Sequence, residues 1–156
     1  MWENILWILI AYAGMEFVAW FSHKYVMHGF LWNWHEDHHL PKHKKPGFFE
    51  KNDLFFVVFA VPSAASYMLG SMVPELSFLF YVGIGISLYG LTYFLIHDVY
   101  IHQRFNWFRQ LEGWYSKGIL RAHGAHHSKQ TKEEGESFGL LLVHPKYFRQ
   151  RKGRNN

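Results

Sequence analysis

Residues 76–102 read LSFLFYVGIGISLYGLTYFLIHDVYIH, an apolar run that ends in two histidines five positions apart. The part from Leu76 to Ile96 is long enough to cross a bilayer, because a membrane span needs about 20 apolar residues at a rise of 1.5 Å each. A polar pair of imidazoles follows directly at His97 and His102. The stretch therefore predicts a membrane helix that delivers two histidines to one face of the membrane.

Three glycines interrupt this span, at Gly83, Gly85 and Gly90. They do not form a dinucleotide-binding fingerprint, since no strand precedes them and no acidic ribose partner follows. Small residues let neighbouring membrane helices approach closely. We therefore expect the glycines to mark close helix packing.

Two further apolar stretches run from about Ile5 to Phe21 and from about Leu54 to Leu69. A signal peptide in place of the first is disfavoured, because its leading segment contains Glu3 and no Lys or Arg. The turn at 70–75 joins the second and third spans as a helical hairpin. The expected fold class is all-α integral membrane, with three transmembrane helices and a fourth crossing left open.

The charges give these spans a direction. If the amino terminus lies outside, all sixteen Lys and Arg, from Lys24 to Arg154, fall on the inner side, whereas Glu3 and Glu75 lie outside. Membrane proteins concentrate Lys and Arg on the cytoplasmic side, so the net charge of +4 reflects topology rather than nucleic-acid binding. We expect a bacterial inner membrane, because no Ser- and Arg-rich leader for an organelle precedes the first span.

The chain is expected to form a single membrane-embedded domain over 1–156, in which 129–156 is a polar, partly basic C-terminal tail. Within this tail, the run from Phe138 to Val143 is too short to cross and is expected on the membrane surface. The basic end from Arg149 to Arg154 either contacts anionic lipid or is a solvated tail.

Ten of the twelve histidines form two copies of one pattern, in which two histidines five positions apart precede His-x2-His-His. The first copy comprises His23, His28, His35, His38 and His39, and the second comprises His97, His102, His123, His126 and His127. Desolvated imidazoles at membrane-helix ends are costly without partners, so the duplicated set predicts metal ligands. His43 and His144 lie outside the pattern and are expected to face solvent.

Helical geometry explains part of this spacing. On a helix, His35, His38 and His39 stand at i, i+3 and i+4 and share one face, as do their counterparts in the second copy. A pair at i and i+5 diverges by about 140° on an ideal α-helix. Such pairs therefore straddle the site, bind different metals, or sit where the helix unwinds.

Ten imidazoles are too many for one ion, so we expect two metal ions to share them. Imidazole alone does not choose among zinc, copper, nickel and iron. A site at the membrane face beneath apolar helices indicates attack on a hydrocarbon, for which iron with O2 is competent and zinc is not. The chain has no cysteine, which excludes iron–sulfur clusters and a thiol nucleophile.

Two carboxylates are candidates to orient a ligand imidazole, Glu16 on the first span and Asp98 beside His97. A hydrogen bond within the helix bundle is the alternative for both. No cofactor-binding motif for electron delivery is present, so reducing electrons are expected from a separate protein, and the basic inner face suits an acidic donor such as a ferredoxin.

The pattern resembles the fatty acid hydroxylase and sterol desaturase superfamily, and within it the bacterial β-carotene hydroxylases. The residues that carry the resemblance are 23–29 (HKYVMHG), Leu31-Trp32 before the first His-x2-His-His, and Arg121-x-His123 in the second. The resemblance implies a single hydroxylase domain with two iron ions held by the ten histidines and with O2 as co-substrate. It also implies hydroxylation of the β-ionone ring at carbon 3, from β-carotene through β-cryptoxanthin to zeaxanthin, with electrons from ferredoxin and its reductase.

Related activities remain open from sequence alone. A fatty-acyl or sterol hydroxylase or desaturase would share the histidine set and differ in its apolar pocket, and a carotenoid ketolase would make a carbonyl. A membrane metal transporter or sensor is disfavoured, because the histidines gather at one face instead of lining a path across the membrane.

Overall fold

The computed structural model describes residues 1–41, 47–107, 111–129, 131–133 and 135–149. In these ranges all regular structure is helical, with α-helices α1 (Trp2–Phe21), α2 (Trp32–His35), α3 (Leu54–Met72), α4 (Phe78–Tyr93) and α5 (Trp114–His127). π-Helical segments follow α1 at Ser22–Phe30 and α4 at Phe94–Ile101, and short 3-10 turns occur at Glu36–His39, Lys51–Asp53, Pro74–Leu76 and Pro145–Phe148. His43 and the basic end beyond Arg149 lie outside the described residues.

Three helical rods in the described chain are long and apolar enough to cross a membrane. They cover Trp2–Phe30, Lys51–Met72 and Phe78–Ile101, with mean hydropathies of 1.7, 1.7 and 1.8. The remaining longer helix, α5, has only 14 residues and carries two of the predicted ligand histidines in its last turn. The expected all-α fold with three candidate spans is therefore confirmed for the described part of the chain.

Helix α4 occupies the middle of the membrane part, packing along α1 on one side and α3 on the other. Two glycines let α4 approach its neighbours closely. A Cβ at Gly85 would lie 2.5 Å from the Ile8 carbonyl oxygen of α1, and a Cβ at Gly83 would lie 3.2 Å from the Ser63 carbonyl oxygen of α3. The packing role expected for these two glycines is confirmed. Gly90 is different, since a Cβ there would meet open space.

Hydrogen bonds join the spans on both sides of α4. The Tyr12 hydroxyl of α1 donates to Thr92 Oγ1 at 3.1 Å, and Ser63 and Ser87 share a hydroxyl hydrogen bond of 2.9 Å between α3 and α4. Such bonds contribute about 0.6 kcal/mol each on average in membranes. They fix the rotation of α1 and α3 about α4, which in turn fixes where the π-helical ends point.

Arg104 joins the start of α3 to the π-helical segment that follows α4. Its Nη1 donates to Asp53 Oδ1 at 2.7 Å and to Asp98 Oδ1 at 2.9 Å, and its Nη2 donates to the Phe48 carbonyl. Hydrogen bonding to Asp53 raises the pKa of the guanidinium still further above its ordinary value. The cation therefore holds the start of α3 against the end of the π segment that carries His97.

The C-terminal tail is more structured than the sequence indicates. Leu140 is buried, and its backbone N–H points to Glu16 rather than to the membrane surface. The expectation that the whole run from Phe138 to Val143 lies on the membrane surface is therefore wrong for its centre, although Leu142 remains exposed. The centre of the run lies inside the protein because the backbone N–H groups of 140–142 donate hydrogen bonds to the buried Glu16 carboxylate.

Candidate metal centre

Two groups of imidazole nitrogens converge at the end of the helix bundle where α1 and α4 continue into π-helical segments. In each group the candidate ligand atoms all lie within 4.8 Å of one another. The first cluster consists of His23, His28, His35, His39 and His126, and the second of His38, His102, His123 and His127. The Nε2 atom of His97 lies 3.1 Å from that of His38, at the edge of the second cluster. The structure thus brings nine of the ten predicted ligand residues into two clusters, and it places His97 beside the second.

The clusters do not follow the two sequence copies. The middle histidine of each His-x2-His-His crosses over, so His126 of the second copy joins the first cluster, and His38 of the first copy joins the second cluster. The Nε2 atoms of His126 and His28 are 3.2 Å apart, although 98 residues separate them in sequence. Neither cluster is complete without the other half of the chain.

The pairs five positions apart lie on π-helical turns. The His102 backbone N–H donates to the His97 carbonyl at 2.9 Å, an i to i+5 bond that winds the second residue back over the first. As a result, the ring centroids of His97 and His102 are 4.6 Å apart, and those of His23 and His28 are 5.3 Å apart. Of the three arrangements left open by the sequence, the local change of helix winding is the one the structure adopts.

Most of these imidazoles have a hydrogen-bond acceptor at Nδ1. The partners are the carbonyls of Phe138, Lys132, Lys129 and Glu136 for His23, His28, His39 and His126, the Asn52 amide oxygen for His35, and the carboxylates of Glu50 and Asp98 for His38 and His97. An acceptor at Nδ1 places the proton there and leaves Nε2 with a free lone pair. The rings are therefore held in the form that binds a metal through Nε2.

Where an Nδ1 acceptor holds the proton, the Nε2 atom of that ring carries none and faces other Nε2 atoms. His23 and His35 approach to 3.1 Å at Nε2, and so do His38 and His97. Two lone pairs at this distance repel, whereas a cation between them is stabilised by both. His127 Nε2 is buried with no hydrogen-bond partner among the described residues. The donor set therefore fits metal ions of the kind that imidazole binds.

Burial favours the neutral form of several cluster histidines. It lowers the pKa of His35, His38 and His123 well below the ordinary value for histidine, and lowers the pKa of His126 to about 3. Neighbouring imidazoles act in the same direction for His38 and His123. Neutral imidazole is the form that coordinates a metal, so no proton needs to be displaced on binding at neutral pH.

The carboxylate partners differ in part from those expected. Asp98 lies beside His97, with 3.4 Å between Oδ2 and Nδ1. Glu16 contacts Tyr89 and the backbone of 140–142 instead of a ligand imidazole. Sequence reasoning missed Glu50, whose Oε2 lies 2.8 Å from His38 Nδ1. The sequence feature that could have drawn attention to Glu50 is the capping box that it forms with Asp53 at the start of the second span.

Replacing Glu50 by alanine is expected to weaken metal binding at the second cluster by about 10- to 100-fold, because partners that orient ligand imidazoles typically contribute that much. Metal per chain, measured by elemental analysis after dialysis against a graded chelator, checks this. Glu36→Ala is the matched control, since Glu36 is an exposed carboxylate in the same region. Equal metal retention in both variants would show that Glu50 does not strengthen metal binding at the second cluster.

Two cavities reach histidines of the site. An apolar cavity of about 580 Å³ lies over α4 between α1 and α3, and it reaches His97 and Asp98 at its inner end. A smaller cavity of about 330 Å³ is lined by all four histidines of the second cluster and by His39 of the first. The five histidines of the first cluster are all buried. The apolar cavity therefore reaches the site at His97, beside His38 of the second cluster.

The chain is similar to known proteins over most of its length. The fatty acid hydroxylase family matches residues 8–145. The chain is 42% identical to a β-carotene hydroxylase of Pantoea ananas over 144 residues, which cover 91% of this chain and 78% of that protein. It is 40% identical to a β-carotene hydroxylase of Pseudescherichia vulneris over 145 residues, with coverages of 92% and 78%.

Plant proteins are also similar. The chain is 37% identical over 136 residues to the chloroplastic β-carotene 3-hydroxylase 2 of Arabidopsis thaliana, covering 85% of this chain and 43% of that protein. No solved structure matches the chain. The matched region contains the nine clustered histidines, His97 and most of the three candidate spans. The chain belongs to the fatty acid hydroxylase family.

Proposed function

We propose that this chain is a β-carotene 3-hydroxylase that converts β-carotene through β-cryptoxanthin to zeaxanthin. The observation that carries the proposal is the apolar cavity between two membrane spans that ends at His97, beside two clusters of imidazole nitrogens. The relatives named as β-carotene hydroxylases, 40–42% identical over 91–92% of this chain, support the substrate class.

The cavity suits a ligand that arrives from the bilayer. It is lined largely by apolar and aromatic side chains, and α1 and α3 flank it without closing over it. Its volume of about 580 Å³ is within the range of about 300–1,000 Å³ found for ligand pockets, so a long polyene would place only one end in it. A ring at the inner end would contact His97, with Phe55 and Phe94 among the surrounding aromatic side chains.

The histidine clusters fit two iron ions, with His23, His28, His35, His39 and His126 holding one, and His38, His97, His102, His123 and His127 holding the other. When bound, iron supplies the O2 chemistry that an unactivated C–H bond requires. In this proposal, acceptors at Nδ1 orient most of the imidazoles, and burial of the five histidines of the first cluster limits their contact with water. One oxygen atom of O2 enters the ring, and electrons and protons from outside reduce the other to water.

The external electron donor is proposed to be a ferredoxin with its reductase, docking on the cytoplasmic side of a bacterial inner membrane. All sixteen Lys and Arg lie on that side when the amino terminus is outside, so the surface around the clusters attracts an acidic protein. Asp98 serves as an orienting partner of His97 in this proposal, and membrane lipid surrounds the three spans.

Pigment chromatography of carotene-producing bacteria tests the proposal. Cells that express the chain are expected to accumulate zeaxanthin, and cells that express the His35→Ala, His126→Ala double variant are expected to retain β-carotene. Immunodetection in the membrane fraction controls for expression. Unchanged β-carotene with the wild-type protein present in the membrane would shift the proposal to a fatty-acyl or sterol substrate, and a keto product would indicate a ketolase.

A further inference from the structure

Glu16 is a buried carboxylate in the middle of the first span, with 7% of its surface exposed. Its Oε1 accepts hydrogen bonds from the backbone N–H groups of Leu140, Leu141 and Leu142 at 3.1, 2.9 and 2.9 Å. Its Oε2 accepts from the Tyr89 hydroxyl at 2.7 Å. Burying a carboxylate inside a membrane costs free energy unless hydrogen-bond donors compensate it. The four donors that converge on Glu16 therefore indicate a specific role for this residue.

The three backbone donors belong to residues 135–142, which we call the strap. The Phe138 carbonyl lies 3.0 Å from His23 Nδ1, and the Glu136 carbonyl lies 3.0 Å from His126 Nδ1. The Phe138 ring also packs edge-on against the rings of His23, His28 and His126, with centroid distances of 5.5, 5.1 and 5.3 Å. The strap thus orients histidines of the first cluster through its backbone and covers them with one aromatic ring.

The strap has little freedom to lie elsewhere. A Cβ at Gly139 would come within 2.6 Å of the Leu142 carbonyl oxygen and 3.2 Å of Glu16 Oε1. A Cβ at Gly135 would come within 2.7 Å of the Phe138 ring and 3.3 Å of His28 Cε1. Glycine at both positions lets the strap approach the carboxylate and the cluster closely.

We propose that Glu16 is a positioning residue that fastens the strap and thereby orients His23 and His126 in the first cluster. It acts through the strap and touches no cluster imidazole among the contacts described above. The inference rests on the metal-binding part of the proposed function and adds to it a membrane-embedded carboxylate that holds the C-terminal segment.

The experiment compares full-length Glu16→Ala, Glu16→Gln and Glu3→Ala proteins purified in detergent. Glu16→Ala is expected to bind iron about 10- to 100-fold more weakly at one of two sites, the range seen when orienting partners of ligands are lost. It is also expected to release the strap, so that the chain around the exposed flanking residues Lys132 and Lys146 is held less firmly and trypsin cleaves after them at least about tenfold faster. Glu16→Gln keeps an acceptor oxygen and is expected to restore both properties, and Glu3→Ala removes an exposed carboxylate of the same helix and is expected to change neither.

Gly139→Ala provides a second variant that leaves the membrane helix intact, and the same losses are expected from it because the added methyl group pushes the strap away from Glu16. If Glu16→Ala does not accumulate in the membrane, Gly139→Ala decides the outcome. Wild-type iron binding and wild-type cleavage in these variants would overturn the inference. Absence of iron from the wild-type protein would instead overturn the proposed metal centre, a separate result.

Discussion

Replacing His126 by alanine is expected to remove metal from the first cluster and to reduce zeaxanthin formation by more than about 100-fold. Residues that merely orient ligands account for about 10- to 100-fold, and loss of a ligand is more severe. His126 lies in the second sequence copy, but its Nε2 is 3.2 Å from that of His28 in the first copy. The metal lost should therefore be the one bound by the histidines of the first span.

Combined variants test this crossover by metal content alone. His126→Ala with His23→Ala disturbs one cluster and is expected to leave about one metal per chain, whereas His126→Ala with His102→Ala disturbs both and is expected to leave none. His144→Ala is the control, because the exposed His144 ring accepts a hydrogen bond from the Lys146 backbone N–H and belongs to neither cluster. The opposite pattern, with one metal retained in the second combination, would contradict the crossover.

The sequence is sufficient to predict the three candidate spans and the set of histidines that meet at their ends. Apolar length determines the spans, and the duplicated spacing identifies the set without any tertiary information. The division of the set into two clusters is not predictable in this way. Whether His38 faces its own motif or the other one depends on how the 3-10 turn Glu36–His39 packs against α5, and that packing has no local signature in the sequence.

The winding of the π-helical segments is only partly predictable from the sequence. The five-residue spacing of His97 and His102 is the period of a π-helical hydrogen bond, so the signal is present in the sequence. It is ambiguous, however, because an ideal α-helix places the same residues about 140° apart and equally permits a site between two metals. The local bond from the His102 N–H to the His97 carbonyl resolves the ambiguity.

The acceptors for the imidazole Nδ1 atoms are the least predictable feature. Lys129, Lys132, Glu136 and Phe138 contribute backbone carbonyls, and a carbonyl carries no side-chain signature. For this reason the polar character of the tail suggests solvent exposure, whereas its backbone lines the first cluster. Glu16 is recognisable from sequence as an unusual carboxylate in a span, but its partners in the tail are not.

Replacing Gly90 by phenylalanine is expected to reduce carotenoid hydroxylation by at least about tenfold while leaving metal content unchanged. Gly90 lines the apolar cavity, and a Cβ there meets nothing within 4 Å, so an added ring would enter the cavity instead of the helix interface. Seven residues separate Gly90 from His97, about 10 Å along a helix. A polyene whose ring contacts His97 would pass this position and collide with the new side chain.

Gly14→Phe is the matched control for this substitution. Gly14 is exposed on α1 with open space around it, and it does not line the cavity, so the added ring would enter lipid and cause little change. Gly90→Ala should fall between wild type and Gly90→Phe, since a methyl group takes less of the cavity. Pigment chromatography and metal analysis of the same preparations measure both quantities. Wild-type zeaxanthin levels from Gly90→Phe would show that the substrate does not enter between α1 and α3, whereas loss of product together with loss of metal would point to a folding defect.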